Sequence, residues 1–443
     1  MKVFKVYFLI GIGGIGMSSI AQYLILKGYK VFGYDRVSSG ITDLLQDKGA
    51  IINFDESINN NMLKYFKKRE IQIIYSAAIK SEHSILSFFI LNGYSPIKRA
   101  VFLASIVNDT ESYAIAGTHG KTTTSAILTH IFKNINISFS AFVGGIMLPE
   151  KTNFIHNGFE KTVVEADEFD RSFLKLKPFT ACITSLDADH LDIYKNHKSL
   201  KQAFYDFSKN VKGQLIIHHS IPFKGLTYGV NVKADYVFKN CNQFDEGYYV
   251  DIITPDKSFS NVFCKVTGKH NLENMLAAFA LSHQSGYPLD KIIPSLGTFN
   301  GVMRRMTTYQ IDNKIIIDDY AHHPTEIAAV NNTLREKYPD SSIEVVFQPH
   351  LFSRTRDFLD DFAFELSKFD SVKLLQIYPA REVPIPGIES IEILKKITSK
   401  ATMLDKKNFN KNLDSNNSDI IVILGAGSIG DYITDYLKIK HIK

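Results

Sequence analysis

The run Gly117-Thr118-His119-Gly120-Lys121-Thr122-Thr123-Thr124-Ser125 follows a strand-like apolar segment, Tyr113 to Ala116, and opens an amphipathic helical run from Ser125 to Phe132. Few arrangements tolerate such a stretch. Glycines allow backbone N–H groups to turn inward around anionic oxygens, the helix N-terminus adds partial positive charge, and Lys121 adds a full one. A lysine at a helix N-terminus is electrostatically unfavourable unless an anion accompanies it, so the pattern predicts a phosphate cradle on an α/β sheet. Thr122 is then placed to ligate Mg²⁺. The usual P-loop has four residues between its first glycine and its Gly-Lys pair, whereas Thr118 and His119 alone separate Gly117 from Gly120.

A chain of 443 residues with 45% hydrophobic composition is long enough for about two to four domains with real cores. Its net charge of +5 is small at this length, and the basic pairs Lys395-Lys396 and Lys406-Lys407 read as solvated surface, so no nucleic acid polymer is expected as a partner. Cys182, Cys241 and Cys264 are widely spaced, which predicts reduced thiols and no zinc site. Lys2 and Lys5 precede apolar residues as in a secretory signal. Gly11, Gly13, Gly14 and Gly16 break that run after one strand's length, and no stretch approaches the roughly 20 apolar residues of a membrane span. A cytoplasmic protein without a membrane partner, monomeric or weakly homodimeric, is expected.

Alternation of strand and helix patterns runs along the chain. Val3 to Ile10 reads as a buried strand, Gly11 to Gly16 as a turn, Met17 to Lys27 as a helix and Lys30 to Tyr34 as a second strand ending at Asp35, which together make a βαβ unit. A strand at Ile71 to Tyr75 and a helix at Ile97 to Val107 extend it. The strands Thr162 to Val164 and Ala181 to Ser185 both run into acidic segments, at the strand ends where open parallel sheets bind ligands. Gly213 to Phe263 reads as a β-rich insertion, and helical spacing resumes at Asn271 to His283. Further strands are expected at Lys314 to Ile317, Ile343 to Phe347 and Ile420 to Leu424, the last followed by a second glycine-rich turn, Gly425 to Gly430. The expected fold is α/β with three domains: a Rossmann-like N-terminal domain at 1–108, a central P-loop-type ATPase domain with a mostly parallel sheet at 109–306, and a Rossmann-like C-terminal domain at 307–443.

Eight motifs in order resemble the Mur ligase family from end to end: GIGGIGMS at 11–18, GTHGKTTTS at 117–125, VEADEFDRSF at 164–173, DADHLD at 187–192, GKHNLENMLAA at 268–278, RR at 304–305, DDYAHHPTE at 318–326 and QPHLFSRTRDF at 348–358. The resemblance implies ATP-dependent joining of L-alanine to the lactyl carboxylate of UDP-N-acetylmuramate through an acyl phosphate, in peptidoglycan precursor synthesis. It also implies that the three domains take the UDP-sugar, ATP and the amino acid in turn. A ligase attaching another amino acid or a preformed peptide is the alternative within the family. A nicotinamide-dependent dehydrogenase would use the glycine turns but leaves Lys121, Glu165 and His190 unexplained, and a noncatalytic nucleotide-binding regulator would use the loop without turnover.

Carried onto this sequence, the resemblance gives ATP contacts to Gly117, Thr118, His119, Gly120, Lys121, Thr122 and Thr123, with Lys121 on the β/γ-phosphates. Thr122, Glu165 and His190 are the expected Mg²⁺ ligands. His270, Asn271 and Asn274 are expected at adenine or ribose, although an N-capping role competes for Asn271. Arg305 and Asp319 should close ATP between domains, with Asp318 beside them. Tyr320, His322, His350 and Arg354 form the expected amino-acid pocket, with an arginine for the alanine carboxylate and an imidazole to accept the amine proton. Gly13, Gly14, Ile15 and Gly16 should receive the UDP pyrophosphate, and Asp35 and Ser76 the nucleotide sugar, joined by His83 and Arg99. Tyr205 stands where many family members carry a carbamylated lysine, so no carbamate is expected. Ser185, Ala321, Met306 and Leu351 depart from residues frequent in the family, and none removes a catalytic group.

Overall fold

The computed structural model describes residues 4–58, 64–188, 191–194, 196–380 and 382–442. Among these, the strands gather into three sheets. The first is parallel in the order β3-β2-β1-β4-β5, from β1 (Val6–Ile10), β2 (Lys30–Tyr34), β3 (Ile51–Asn53), β4 (Ile71–Tyr75) and β5 (Ile97–Lys98). β1 is buried along its whole length, which is why it reads as an unbroken apolar run. Ile97, expected to open a helix, instead pairs with Ile74 as an edge strand, and the helix begins at Arg99.

The central sheet contains β6 (Glu111–Ala116), β7 (Phe139–Met147), β8 (Thr152–His156), β9 (Lys161–Glu165), β10 (Thr180–Ile183), β11 (Leu215–His218), β12 (Leu226–Val230), β13 (Tyr236–Phe244), β14 (Gly247–Ile253) and β15 (Ser258–Cys264), in the order β15-β14-β13-β12-β11-β10-β6-β9-β7-β8. The pairs from β13 across to β7 are parallel, and β8, β14 and β15 add antiparallel edges. Gly213 to Phe263 is therefore no insertion. It continues the central sheet, and Ile216, Tyr228, Tyr236, Phe238 and Val250 bury their side chains with those of the helix Lys269–Gln284 in one core. Turn residues hid this continuity because a parallel strand and a hairpin strand look alike when each is short.

The third sheet, in the order β16-β17-β21-β18-β19-β20, uses β16 (Thr307–Ile311), β17 (Lys314–Asp319), β18 (Ile343–Phe347), β19 (Ser371–Leu374), β20 (Lys400–Met403) and β21 (Ile420–Leu424), parallel except for β16. It has apolar clusters of its own. The first and central units, by contrast, share one: Leu9, Met17, Ile20 and Phe102 lie in the same cluster as Phe142, Phe154, Phe173 and Phe204. Gln22 and Asn153 seal that junction, Gln22 donating to Asn153 at 3.0 Å while Lys48 donates to Gln22 at 2.7 Å. Each buried phenylalanine stabilises by about 1.5–3 kcal/mol against about 1 kcal/mol net for a hydrogen bond, so the apolar contact holds the units together and the polar group fixes their register.

Candidate active site

The loop after β6 turns on two glycines with positive φ, Gly117 (135°) and Gly120 (82°). Glycine is required at the second, where a Cβ would fall 2.3 Å from Asn274 Oδ1. Gly120 caps a helix, Lys121–Asn134, which begins four residues before the expected Ser125 because Thr122, Thr123 and Thr124 are buried and take helical backbone. Ser185 Oγ accepts from the His119 N–H at 2.8 Å and lies 2.9 Å from Thr118 Oγ1, so the position that departs from the family pattern still braces the loop.

Lys121 Nζ reaches the Gly117 carbonyl at 2.5 Å and the Glu168 carboxylate at 2.8 Å. Burial acts to lower its pKa, but Glu168, Asp167 and Glu165 outweigh this and raise it. The anion that a lysine at a helix start demands is thus supplied by the chain itself. Across the loop, Thr122 Oγ1 donates to Glu165 Oε2 at 3.2 Å. The other Glu165 oxygen accepts from Gly144 N–H and Ser125 Oγ, and a Cβ on Gly144 would intrude to 2.5 Å from the carboxylate. Burial raises the Glu165 pKa, opposed by the Gly144 N–H and Lys121. His190 lies outside the described residues. Among the described residues no group of three or more His, Cys, Asp and Glu side chains could hold a metal alone. A hydroxyl and a carboxylate side by side fit Mg²⁺, which takes one or two protein oxygens and completes its octahedron with phosphate oxygens and water.

A cleft of about 280 Å³ opens beside this loop, between the central and third sheets. His119, Gly120, Thr123, His270, Asn271 and Asn274 line its central side, and Arg305, Asp319 and Glu326 its other side. Asn274 Nδ2 donates to Asn271 Oδ1 at 3.2 Å, as their three-residue spacing on one helix predicts. Asn271 is no N-cap; Gly268 occupies that position. Burial lowers the His270 pKa to about 4, so its ring is neutral near pH 7.

The two arginines at the boundary part ways. Arg304 is bound to Asp318 at 3.3 Å and to the Gly425 carbonyl, while Arg305 faces the cleft. Asp319 accepts the N–H groups of Met306 (2.7 Å) and Ala321 (2.8 Å), and burial raises its pKa to about 6 against the pull of Arg305. Met306 has φ of 53°, so Asp319 pins a strained residue where the chain passes into the third unit.

In the third unit the ring of His322 lies 5.4 Å from that of Tyr320 and 5.9 Å from that of His350, and Arg354 Nη1 lies 3.5 Å from His350 Nδ1. Leu351, with φ of 72°, turns the backbone between His350 and the short helix that carries Arg354. Glu326 joins this cluster to the phosphate loop: it receives His119 Nδ1 at 3.2 Å and the His322 N–H at 2.9 Å. Burial works against its charge, but His322, His119 and Arg305 together hold it well below the usual carboxylate range. Motif spacing gave Glu168 and Glu326 no role. Their places in quoted motifs were the signal, and their partners, distant in sequence, were not readable.

The first unit gathers a separate group. Asp35 Oδ2 accepts the Gly13 N–H at 2.7 Å, a Cβ on Gly16 would fall 2.6 Å from Arg99 Nη1, and Ser76 packs on Gly11. Gly14 and Ile15 start the helix Ile15–Leu26 beside them. The ring of His83 lies 5.2 Å from that of Tyr34, tilted by 60°, and faces Glu56.

Residues 6–110 match the Mur ligase family catalytic domain, 115–282 the Mur ligase middle domain and 304–427 the Mur ligase glutamate ligase domain. The chain belongs to the Mur ligase family. It is 43% identical to the UDP-N-acetylmuramate--L-alanine ligase of Christiangramia forsetii, covering 98% of this chain and 97% of that one, and 44% identical to the same-named protein of Flavobacterium johnsoniae, covering 99% and 98%. Among solved structures it resembles the UDP-N-acetylmuramate-alanine ligase of Thermotoga maritima, with a TM-score of 0.83, 26% identity and 99% of each chain covered. A murein peptide ligase from Psychrobacter arcticus shares the fold, with a TM-score of 0.71, 21% identity and 98% of each chain covered. The three-sheet order described above is thus the architecture of a Mur ligase, and the cleft lies between its middle and third matched regions. No helix among the described residues is long and apolar enough to cross a membrane.

Proposed function

We propose that this chain joins L-alanine to the lactyl carboxylate of UDP-N-acetylmuramate, with ATP converted to ADP and phosphate, in peptidoglycan precursor synthesis. One observation supports the assignment: the phosphate loop and the His322, His350 and Arg354 cluster meet through Glu326, so a phosphate-binding cradle and a cluster of imidazole and guanidinium groups adjoin one another. A dehydrogenase has no use for that junction. In this assignment residues 1–108 take the nucleotide sugar on the Gly13 to Gly16 turn, 109–306 take ATP, and 307–443 take alanine. ATP dependence and free Cys182, Cys241 and Cys264 support action in the cytoplasm.

A carboxylate is a poor electrophile, so it must be activated before an amine attacks. Its oxygen attacks the γ-phosphorus, ADP departs, and an acyl phosphate forms; alanine nitrogen then attacks the acyl carbon, phosphate leaves and the amine loses a proton. Lys121 and the loop N–H groups offset charge on the transferring phosphoryl group, and Arg305 reaches it from the third-unit side. Thr122 and Glu165 would hold Mg²⁺, which would supply neutralisation of phosphate charge. In this assignment Arg354 orients the alanine carboxylate, and an imidazole of His322 or His350 accepts the amine proton. Supplied with UDP-N-acetylmuramate carrying ¹⁸O in the lactyl carboxylate, the enzyme should release ¹⁸O-labelled phosphate when alanine is added. Amide formation with unlabelled phosphate would exclude the acyl-phosphate route, and turnover with a peptide but not alanine would move the chain to the peptide-adding branch.

A further inference from the structure

Lys121 is fully engaged by partners within the chain. Its ammonium donates to the carbonyls of Gly117 (2.5 Å) and Thr118 (3.3 Å) and to the Glu168 carboxylate, whose oxygens lie 2.9 and 2.8 Å away. Three hydrogens are all an ammonium has, so each has a target within the chain. Glu168 is completely buried, and its backbone is tied down: its carbonyl accepts from the Tyr194 hydroxyl at 2.6 Å and the Arg171 N–H at 3.0 Å. Two and three residues further on, Asp170 and Arg171 hold φ of 55° and 52°, a costly conformation for side-chain-bearing residues. Asp170 is gripped by Lys98 of the first unit at 3.0 Å, and the Arg171 guanidinium lies 5.3 Å over the Tyr194 ring. Strain persists only where surroundings over-determine it, and here they fix a carboxylate against the cradle's cation.

A phosphoryl oxygen approaching Lys121 therefore meets a buried charge of its own sign, at a depth where Coulomb repulsion is weakly screened. We propose that Glu168 is the resident counter-ion of the cradle: a positioning residue that keeps Lys121 ordered between turnovers, is exchanged for phosphoryl oxygens when nucleotide binds, and returns to Lys121 as ADP and phosphate leave. The role rests on assigning this cradle to the phosphates of ATP. Its consequence has an unusual sign. A residue that merely supports the fold weakens ligand binding when altered, whereas a competing counter-ion tightens it.

ADP in EDTA, titrated calorimetrically onto the full-length chain, reads the exchange without any metal. Glu168→Gln should bind ADP at least about fivefold more tightly than wild type, with lower kcat at saturating substrates because product departs more slowly. Glu168→Asp keeps the charge but withdraws it from Nζ by one methylene, and should tighten binding in the same direction by a smaller factor; it carries the test if the Gln variant does not fold. Equal or weaker ADP binding by folded Glu168→Gln, or by Glu168→Asp, overturns the proposal. Wild type that binds no ADP even when Mg²⁺ replaces EDTA would instead remove the nucleotide assignment on which the proposal stands.

Discussion

We predict that Lys121→Met destabilises the nucleotide-free protein by an amount that shrinks as pH falls. The substitution strips the cation from Glu168, a completely buried carboxylate now 2.8 Å from Nζ. Removing one partner of a buried pair costs about 3–5 kcal/mol when the survivor stays charged. Protonation sets a ceiling on that cost. Starting from an ordinary glutamate value of about 4.3, holding the carboxyl protonated in the fold costs roughly 3.7 kcal/mol at pH 7 and roughly 1.6 kcal/mol at pH 5.5, at 1.36 kcal/mol per pH unit. The sign follows from linkage: the variant's folded pKa lies above its unfolded one, so its native state holds a proton that the unfolded chain releases, and stability falls as pH rises above about 4.3. Thermal melts at pH 7 should place Lys121→Met roughly 5–15 °C below wild type, with the gap at least halved at pH 5.5. Adding Glu168→Gln removes the larger titrating group and should reduce the pH dependence of the gap to the part that Glu165 contributes on losing Lys121. A gap of equal size at both pH values, or no gap, would show that Glu168 is not desolvated in the fold.

Asp35→Ala deletes the acceptor of the Gly13 N–H and should raise the KM for UDP-N-acetylmuramate by about tenfold or more while leaving that for ATP within about twofold; equal effects would contradict the separation of the two sites. Arg354→Ala should raise the KM for alanine about tenfold or more with ADP affinity unchanged by calorimetry, since its partner is the amino-acid carboxylate. Glu326→Gln weakens the contact between His119 and the third unit and should raise the KM values of ATP and alanine together by several-fold; a change confined to one substrate would break the link drawn between the two pockets.

Patterns set by local rules were legible in the chain. The strands Lys30–Tyr34, Ile71–Tyr75, Ile343–Phe347 and Ile420–Leu424 fall where apolar runs end in turn residues, because burial on both faces writes itself into consecutive positions. The pairing of Thr122 with Glu165 was implied by the resemblance, and the fold places them together because β6, which leads into the helix of Thr122, pairs with β9, which ends at Glu165. Relationships between distant residues were not legible. Lys121 and Glu168 announce a charge each but not their contact, His119 and Glu326 are brought together only by docking of the third unit, and the divergence of Arg304 from Arg305 depends on a backbone turn with positive φ at Arg304. The strands from Leu215 to Cys264 looked detached because sheet order is a property of pairing, which composition does not record.

The cluster that joins Leu9, Met17, Ile20 and Phe102 to Phe142, Phe154, Phe173 and Phe204 has a consequence during synthesis. The first hundred or so residues emerge carrying an apolar face whose partners have not yet been made. At about 5–20 residues per second, another hundred residues take roughly 5–20 seconds to follow, and for that interval the nascent chain presents a surface suited to holdase capture or to misassociation with its neighbours. A ribosome paused near residue 110 should recruit chaperone, and one paused beyond the helix His197–Lys209, once its own tunnel-shielded length is allowed for, should release it. The third sheet, with clusters of its own, imposes no such wait on what precedes it.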